Sequence, residues 1–214
     1  TTYEQGLPLA SRFSPLVLVF LGSTLGNFTH AQLDGFLDML AGQLQPDDRF
    51  LLGVDRVKPI SRLEAAYNDR AGWTSRFILN IFARMNRDLG TNVPPDAVEH
   101  VAYYNDRLER VEMYARFLRE VIIELPMLDR TFRLAPGEMV LTEISRKVRP
   151  EAVATNLNRF GFTLEETHTD PESLFAVLLF KRRRETPWAD IRRRALQATL
   201  RRVRTRTLEL LAPV

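Results

Sequence analysis
An amide side chain, Asn27, follows two glycines in the stretch Gly22-Ser23-Thr24-Leu25-Gly26-Asn27, directly after the apolar run Leu16–Leu21. An amide can accept from an N–H and donate to an oxygen without carrying charge, which suits it to orient a small polar ligand. The plainer account is a tight strand-to-helix turn with Asn27 as turn or capping residue. Spacing leaves both accounts open. The turn is neither a GxGxxG fingerprint nor a phosphate loop, because no lysine follows it. Glu143 and Ser145 are the second candidate group. They stand two residues apart in a run with strand alternation, so both face one side and could line one pocket. A buried Glu143 needs a partner, since an unpaired buried carboxylate is costly. Lys147 shares that face and Arg146 does not, and a structural ion pair is the plain account of the glutamate. Tyr67, in Ala65-Ala66-Tyr67-Asn68-Asp69, reads either as a polar anchor or as part of a solvated helix face. Met113 reads first as core filler.

The elements that must hold these groups follow from periodicity. Leu16–Leu21 is a short, continuous apolar run between Pro15 and Gly22, which predicts a strand buried on both faces. Leu33, Phe36, Leu37, Leu40 and Leu44 recur at helical spacing after Thr29, a candidate N-cap, and Arg49–Asp55 is a second apolar strand. Strand, helix, strand implies a crossover in an α/β sheet, where ligands gather at the carboxyl ends of strands. Asn27 lies at such an end. Residues 61–90 read as helical with breaks near Gly72 and Gly90. From Glu99 the period changes to two, with a turn at Asn105-Asp106 and further strands near Arg119–Leu125 and across Glu138–Lys147. In the last of these, Met139, Leu141, Glu143 and Ser145 are predicted on one face, and Val140, Thr142 and Ile144 on the other. A helix over Pro150–Phe160 and a strand over Phe175–Phe180 complete an open α/β sheet with an inserted β layer.

Composition bounds the alternatives. A chain of 214 residues with 45% hydrophobic and 27% charged residues is ordinary for a globular fold. It has no cysteine, which excludes disulfides and thiolate metal sites and is compatible with a cytoplasmic setting. His30, His100 and His168 have no metal-ligand spacing, and no apolar run reaches the length of a membrane span. The segment Lys181–Arg206 carries +9, which leaves −6 for the rest of a chain whose total is +3. Trp188, Ile191, Leu196, Leu200 and Val203 recur at helical spacing there, opposite the arginines. A helix docking on an apolar surface fits this pattern better than nucleic-acid binding, because the arginines are not interleaved with aromatics.

The motifs FLGSTLGNF, LLGVDRVKP, LEAAYNDRAGWTSRFILNIFARMNRDLG, VEHVAYYNDRLERVEM and GEMVLTEISRKV, in this order and spacing over residues 16–180, resemble the histidine-specific Nα-methyltransferases of ergothioneine biosynthesis. The resemblance implies transfer of methyl groups from S-adenosylmethionine to the α-amino group of L-histidine, giving hercynine. It implies that Asn27, in the same turn as Gly22, holds the amino-acid end of histidine and that Tyr67 bonds the substrate carboxylate. It implies that Met113 lies against the imidazole, and that Glu143 and Ser145 bond its nitrogens. Such placement aims a neutral amine at the sulfonium methyl, and orientation of this kind contributes roughly 7–11 kcal/mol at best. A carboxylate on an imidazole N–H would also select against apolar amino acids.

The implied fold is a partial Rossmann-like methyltransferase sheet with an inserted antiparallel β substrate-binding subdomain, followed by a basic C-terminal helix. The expected divisions are the sheet core over 1–90, the β subdomain over 91–147, a return to the core over 148–181 and the basic helix over 182–214. The family's glycine-rich cofactor turn and following acid have no counterpart here. The resemblance therefore implies a C-terminal portion whose cofactor-binding residues lie upstream of Thr1, inactive in isolation. The alternatives are a binding module without catalysis and a methyltransferase for another amino acid. The tail is similar, over a short stretch, to the start of an ergothioneine sulfoxide synthase bundle domain, which implies fusion to or association with such a domain.

Overall fold
The computed structural model describes residues 3–183, so the basic helix expected over 182–214 lies outside the described residues but for its first two positions. By internal contact the chain divides into two units, one holding residues up to 22, 30–54 and from 149 onward, the other holding 23–29 and 55–148.

The first unit contains α1 (Tyr3–Ala10), β1 (Val17–Phe20), α2 (His30–Gln43) and β2 (Arg49–Asp55), the last of these as far as Val54. Its later elements, in a chain numbered through the second unit, are α5 (Pro150–Arg159), β8 (Phe162–Thr169) and β9 (Phe175–Arg182). The sheet order is β1-β2-β9-β8, with β1 and β2 parallel and β8 and β9 antiparallel. The apolar period of α2 does what it predicts, since Leu33, Phe36, Leu37 and Leu40 are buried. Phe50, Leu52, Phe162, Leu178 and Phe180 have no exposed surface and form the heart of this unit. Its sheet departs from expectation at one strand. Val17, Val19 and Leu21 are 54%, 52% and 50% exposed, so Leu16–Leu21 is not buried on both faces. Among the described residues β1 is bonded to β2 alone, and one of its faces is uncovered.

The second unit is built on a three-stranded antiparallel layer, β3 (Val98–Asn105), β4 (Arg110–Phe117) and β7 (Met139–Arg146), in the order β3-β4-β7. A separate hairpin pairs β5 (Val121–Leu125) with β6 (Arg130–Leu134). Two helices, α3 (Ile60–Tyr67) and α4 (Trp73–Leu89), belong to the same unit, and the expected breaks fall at Gly72 and Gly90. Asp69 starts α4, because its carboxylate accepts from the N–H groups of Trp73 and Thr74, and these bonds lower its pKa to about 2. One apolar cluster gathers Phe82, Ala115, Phe117, Val121 and Ile123, and another gathers Leu63, Ile78, Ala102, Val111 and Met113.

The alternation predicted for β7 breaks once. Met113 pairs with Glu143 but Tyr114 pairs with Leu141, so Thr142 is an extra residue in β7, and its hydroxyl donates to the Met113 carbonyl at 2.8 Å. This bulge reverses the phase of the strand. Val140, Leu141 and Thr142 then line one apolar cavity in succession, which strict alternation forbids. Met139 and Leu141 therefore do not continue the face of Glu143 and Ser145 as predicted. The bulge is the reason.

Candidate functional site
The turn that carries Asn27 is held by its neighbours on both flanks. Gly22 has φ +78 and Ser23 φ +55, and a short 3-10 turn follows over Thr24–Asn27. The Ser23 hydroxyl accepts from the Asp55 N–H at 3.0 Å, which ties the turn to the end of β2. Gly26 lies flat against β7, where an added Cβ would stand 2.9 Å from the Arg146 carbonyl oxygen and 3.3 Å from its nitrogen. Only glycine allows that approach. It delivers Asn27 to β7, where its Nδ2 donates to Glu143 Oε1 at 2.7 Å. Partial burial raises the pKa of Glu143 above its ordinary value of 4.5.

Further along the same face Ser145 is buried, and its hydroxyl lies 2.9 Å from that of Tyr67. Lys147, with 1% exposure, sits behind both. Its ammonium donates to Tyr67 Oη at 2.7 Å, to Ser145 Oγ at 2.8 Å and to Asp55 Oδ2 at 2.8 Å. Asp55 also receives Lys58 at 2.5 Å on its other oxygen. The ion pair expected of Glu143 is therefore not made with Lys147, which pairs with Asp55 instead, while Glu143 receives Asn27.

Tyr67 is presented by the end of α3, which a neighbouring amide stitches to the sheet. Asn68 accepts the Ala102 N–H at 3.0 Å and donates to the Ala102 carbonyl at 2.9 Å, as a strand residue would. His100 adds a bond from Nε2 to the Tyr67 carbonyl at 2.8 Å. Because a carbonyl only accepts, that ring nitrogen carries the proton. Met113 is 3% exposed and packs with Leu63, Ile78, Ala102 and Val111, with Tyr67 against the same cluster.

The structure therefore joins Asn27 with Glu143, and Tyr67 with Ser145, on one face of β7, and sets Met113 opposite Glu143 across the strand pair. Gly22 belongs to the other unit by contact. Sequence reasoning missed Asp55, whose signal was an acid at the carboxyl end of an apolar strand. It gave Lys147 a face but no role. A carboxylate on the neighbouring strand, Glu112, serves as a contrast. Burial pushes its pKa up, but bonds from Arg110, Tyr114 and Asn105 outweigh burial and hold it below the ordinary value. Glu112 is a satisfied structural acid. Glu143, with one amide donor and a raised pKa, is poised to receive another N–H.

The shift of Glu143 has a consequence for stability. A folded pKa above the unfolded one means that the native chain binds the proton more tightly, so the ionised glutamate weakens the fold above the unfolded pKa. Glu143→Gln, which keeps an acceptor for Asn27, is expected to unfold at higher urea than the parent at about pH 7. The gap should close as pH falls below about 4.5, where both states are protonated. Urea titrations at the two pH values check this.

Among the described residues no group of His, Cys, Asp and Glu is placed to hold a metal ion, and no helix is long and apolar enough to cross a membrane. The glycine turn at Gly22–Gly26 does not fit a nucleoside cradle, because the Gly26 side of it is filled by the Arg146 backbone. An apolar cavity of about 320 Å³ between α4, the β5–β6 hairpin and β7 has Thr142 as its one polar wall and lacks the groups an amino acid requires.

Comparison with known proteins gives the family. The model of a family described as histidine-specific, SAM-dependent methyltransferase matches residues 1–182. The chain is 42% identical over 179 residues to the histidine N-alpha-methyltransferase of Mycolicibacterium smegmatis, a match that covers 83% of this chain and 55% of that protein. The identity to the protein of the same description from Mycobacterium tuberculosis is 39% over 177 residues, again 83% and 55%. A protein described as ergothioneine biosynthesis protein 1 from Schizosaccharomyces pombe is 28% identical over 152 residues, 68% of this chain and 19% of that one. The chain spans about half the length of the two mycobacterial relatives. With a family match that runs through nearly every described residue, the chain belongs to the histidine-specific, S-adenosylmethionine-dependent methyltransferases.

Proposed function
We propose that this chain supplies the substrate-binding part of an enzyme that N-methylates the α-amino group of L-histidine to hercynine, within ergothioneine biosynthesis. The observation that carries the proposal is the meeting of Asn27 with Glu143, and of Tyr67 with Ser145, on a single strand face. In this reading Glu143 accepts an imidazole N–H, the Ser145 hydroxyl meets the other ring nitrogen, and Met113 backs the ring. Asn27 and Tyr67 take the amino and carboxylate end, with Gly22 shaping the turn that presents Asn27. Asn27 and Glu143 bonded to each other leave no room for a ligand between them, so histidine must replace their 2.7 Å bond. That exchange leaves neither group unpaired in either state.

The methyl group comes from S-adenosylmethionine, the family's donor. The contribution of this chain is orientation. An uncharged amide at Asn27 holds the amine without lending it a proton, so its lone pair stays available. The same reading includes a cytoplasmic setting. It also includes association with, or fusion to, an ergothioneine sulfoxide synthase domain, supported by the likeness of the tail.

The test is calorimetric titration of L-histidine into this polypeptide and into its Glu143→Ala variant. Loss of a bond to a charged acceptor is worth about 1.5–3 kcal/mol, so the variant should bind about 10- to 100-fold more weakly. Equal affinities would remove Glu143 from the site.

A further inference from the structure
Lys147 has three N–H donors, and all three are committed: to Asp55 at 2.8 Å, to Tyr67 at 2.7 Å and to Ser145 at 2.8 Å. Each hydroxyl must therefore accept from the ammonium. The two hydroxyls are also bonded to each other at 2.9 Å, which uses one of their two protons. One O–H proton is left over, and it can point only away from Lys147, out of the cluster. The charges close in the same way. Lys58 and Lys147 are positive, Asp55 and Glu143 are negative, and the four sum to zero. Two further titratable groups stand on this side: His100 faces the Tyr67 carbonyl through Nε2, and the Glu64 carboxylate accepts from the Tyr104 N–H at 3.1 Å.

We infer that Lys147 is a positioning residue that aims the Tyr67–Ser145 hydroxyl pair, so that the site offers one O–H donor beside the Glu143 acceptor and takes an imidazole as the neutral base. The inference rests on the histidine reading for its ligand and on bond counting for its geometry. A neutral imidazole has one N–H for Glu143 and one lone pair for the Ser145 proton; on binding, the bond between the two hydroxyls opens and the Tyr67 proton goes to the substrate carboxylate. An imidazolium has two N–H groups and no lone pair. It would face a donor with a donor and add an uncompensated charge to a balanced, largely buried cluster.

The experiment is L-histidine affinity as a function of pH for the parent chain, Lys147→Met and Lys147→Arg. Free imidazole titrates near ~6.5, so the parent should lose about tenfold in affinity per pH unit below that value. Lys147→Met leaves the cluster one negative charge in excess and frees the hydroxyls to turn. Its affinity should become flat or rise toward acid. Lys147→Arg keeps the charge and should retain the slope of the parent. A merely structural lysine would change all affinities by one factor and leave the slopes equal, and that result overturns the proposal. A ligand-free measurement separates it from the histidine reading. In proton NMR of the parent chain, the Lys147 ammonium protons and one hydroxyl proton of the Tyr67–Ser145 pair should exchange slowly with water. If they exchange as fast as those of surface residues, the positioning role fails whatever histidine does. If they are slow but the parent binds no histidine at any pH, the histidine reading fails and the positioning role stands.

Discussion
Replacing Asp55 by alanine is expected to remove about 3–5 kcal/mol of folding stability, the usual consequence of stranding one partner of a buried ion pair. Asp55 holds two lysines, but they do not suffer equally. Lys58 has 15% of its side chain in water and can swing outward. Lys147 has none, and what remains to it are two neutral hydroxyls. Against a typical total of about 5–15 kcal/mol the loss is large. A urea midpoint lowered at unchanged m-value would show it. The double variant Asp55→Ala with Lys147→Met should recover most of the loss, because the orphaned charge is gone. If the single and double variants are equally unstable, the penalty comes from something other than the lysine.

Gly26→Val is the second large effect. The contact is backbone on backbone, with the new Cβ 2.9 Å from the Arg146 carbonyl oxygen, so no side chain can move aside to absorb it. Either the turn over Thr24–Asn27 lifts or β7 bends, and overpacking of this kind costs about 1–3 kcal/mol or more. The branched residue places the expectation at about 3 kcal/mol. Because Asn27 is the next residue, its 2.7 Å bond to Glu143 should open as well. Thermal unfolding reads the first effect, and the amide signals of the Asn27 side chain in NMR read the second. A variant with both unchanged would show that the close approach is not needed.

Much of the frame was legible. The α2 period, the helix breaks at Gly72 and Gly90 and the hairpin at Asn105-Asp106 are local signals, and each element stands where its pattern put it. Strands β6 and β8 were missed, because nearly every residue in them is exposed and neither has a buried period to read. Helix α1 was missed for a related reason. It is short and has Pro8 inside it. The exposure of β1 was not legible either. A continuous apolar run records what the strand would bury, and what covers it is not written in the run itself. In the candidate site, residue types pointed to Asn27, Glu143, Ser145 and Tyr67, and the family resemblance supplied their company. The Asp55–Lys147 pair, 92 positions apart by its numbering, is a tertiary contact with no local trace. The bulge at Thr142 was invisible for the same reason, since it exists only relative to β4.

That one unmatched threonine makes the chemistry of β7 a matter of parity. From Met139 to Glu143 the strand has one residue more than the facing run Met113–Arg116, so Met139 and Leu141 face away from Glu143 and Ser145. Point changes in the strand leave the count alone. A single-codon deletion of Thr142 would make the two runs equal and leave Glu143 still opposite Met113, whereas a deletion between Glu143 and Lys147 would turn outward every group beyond it, so this strand tolerates a change of length at the bulge and not past it.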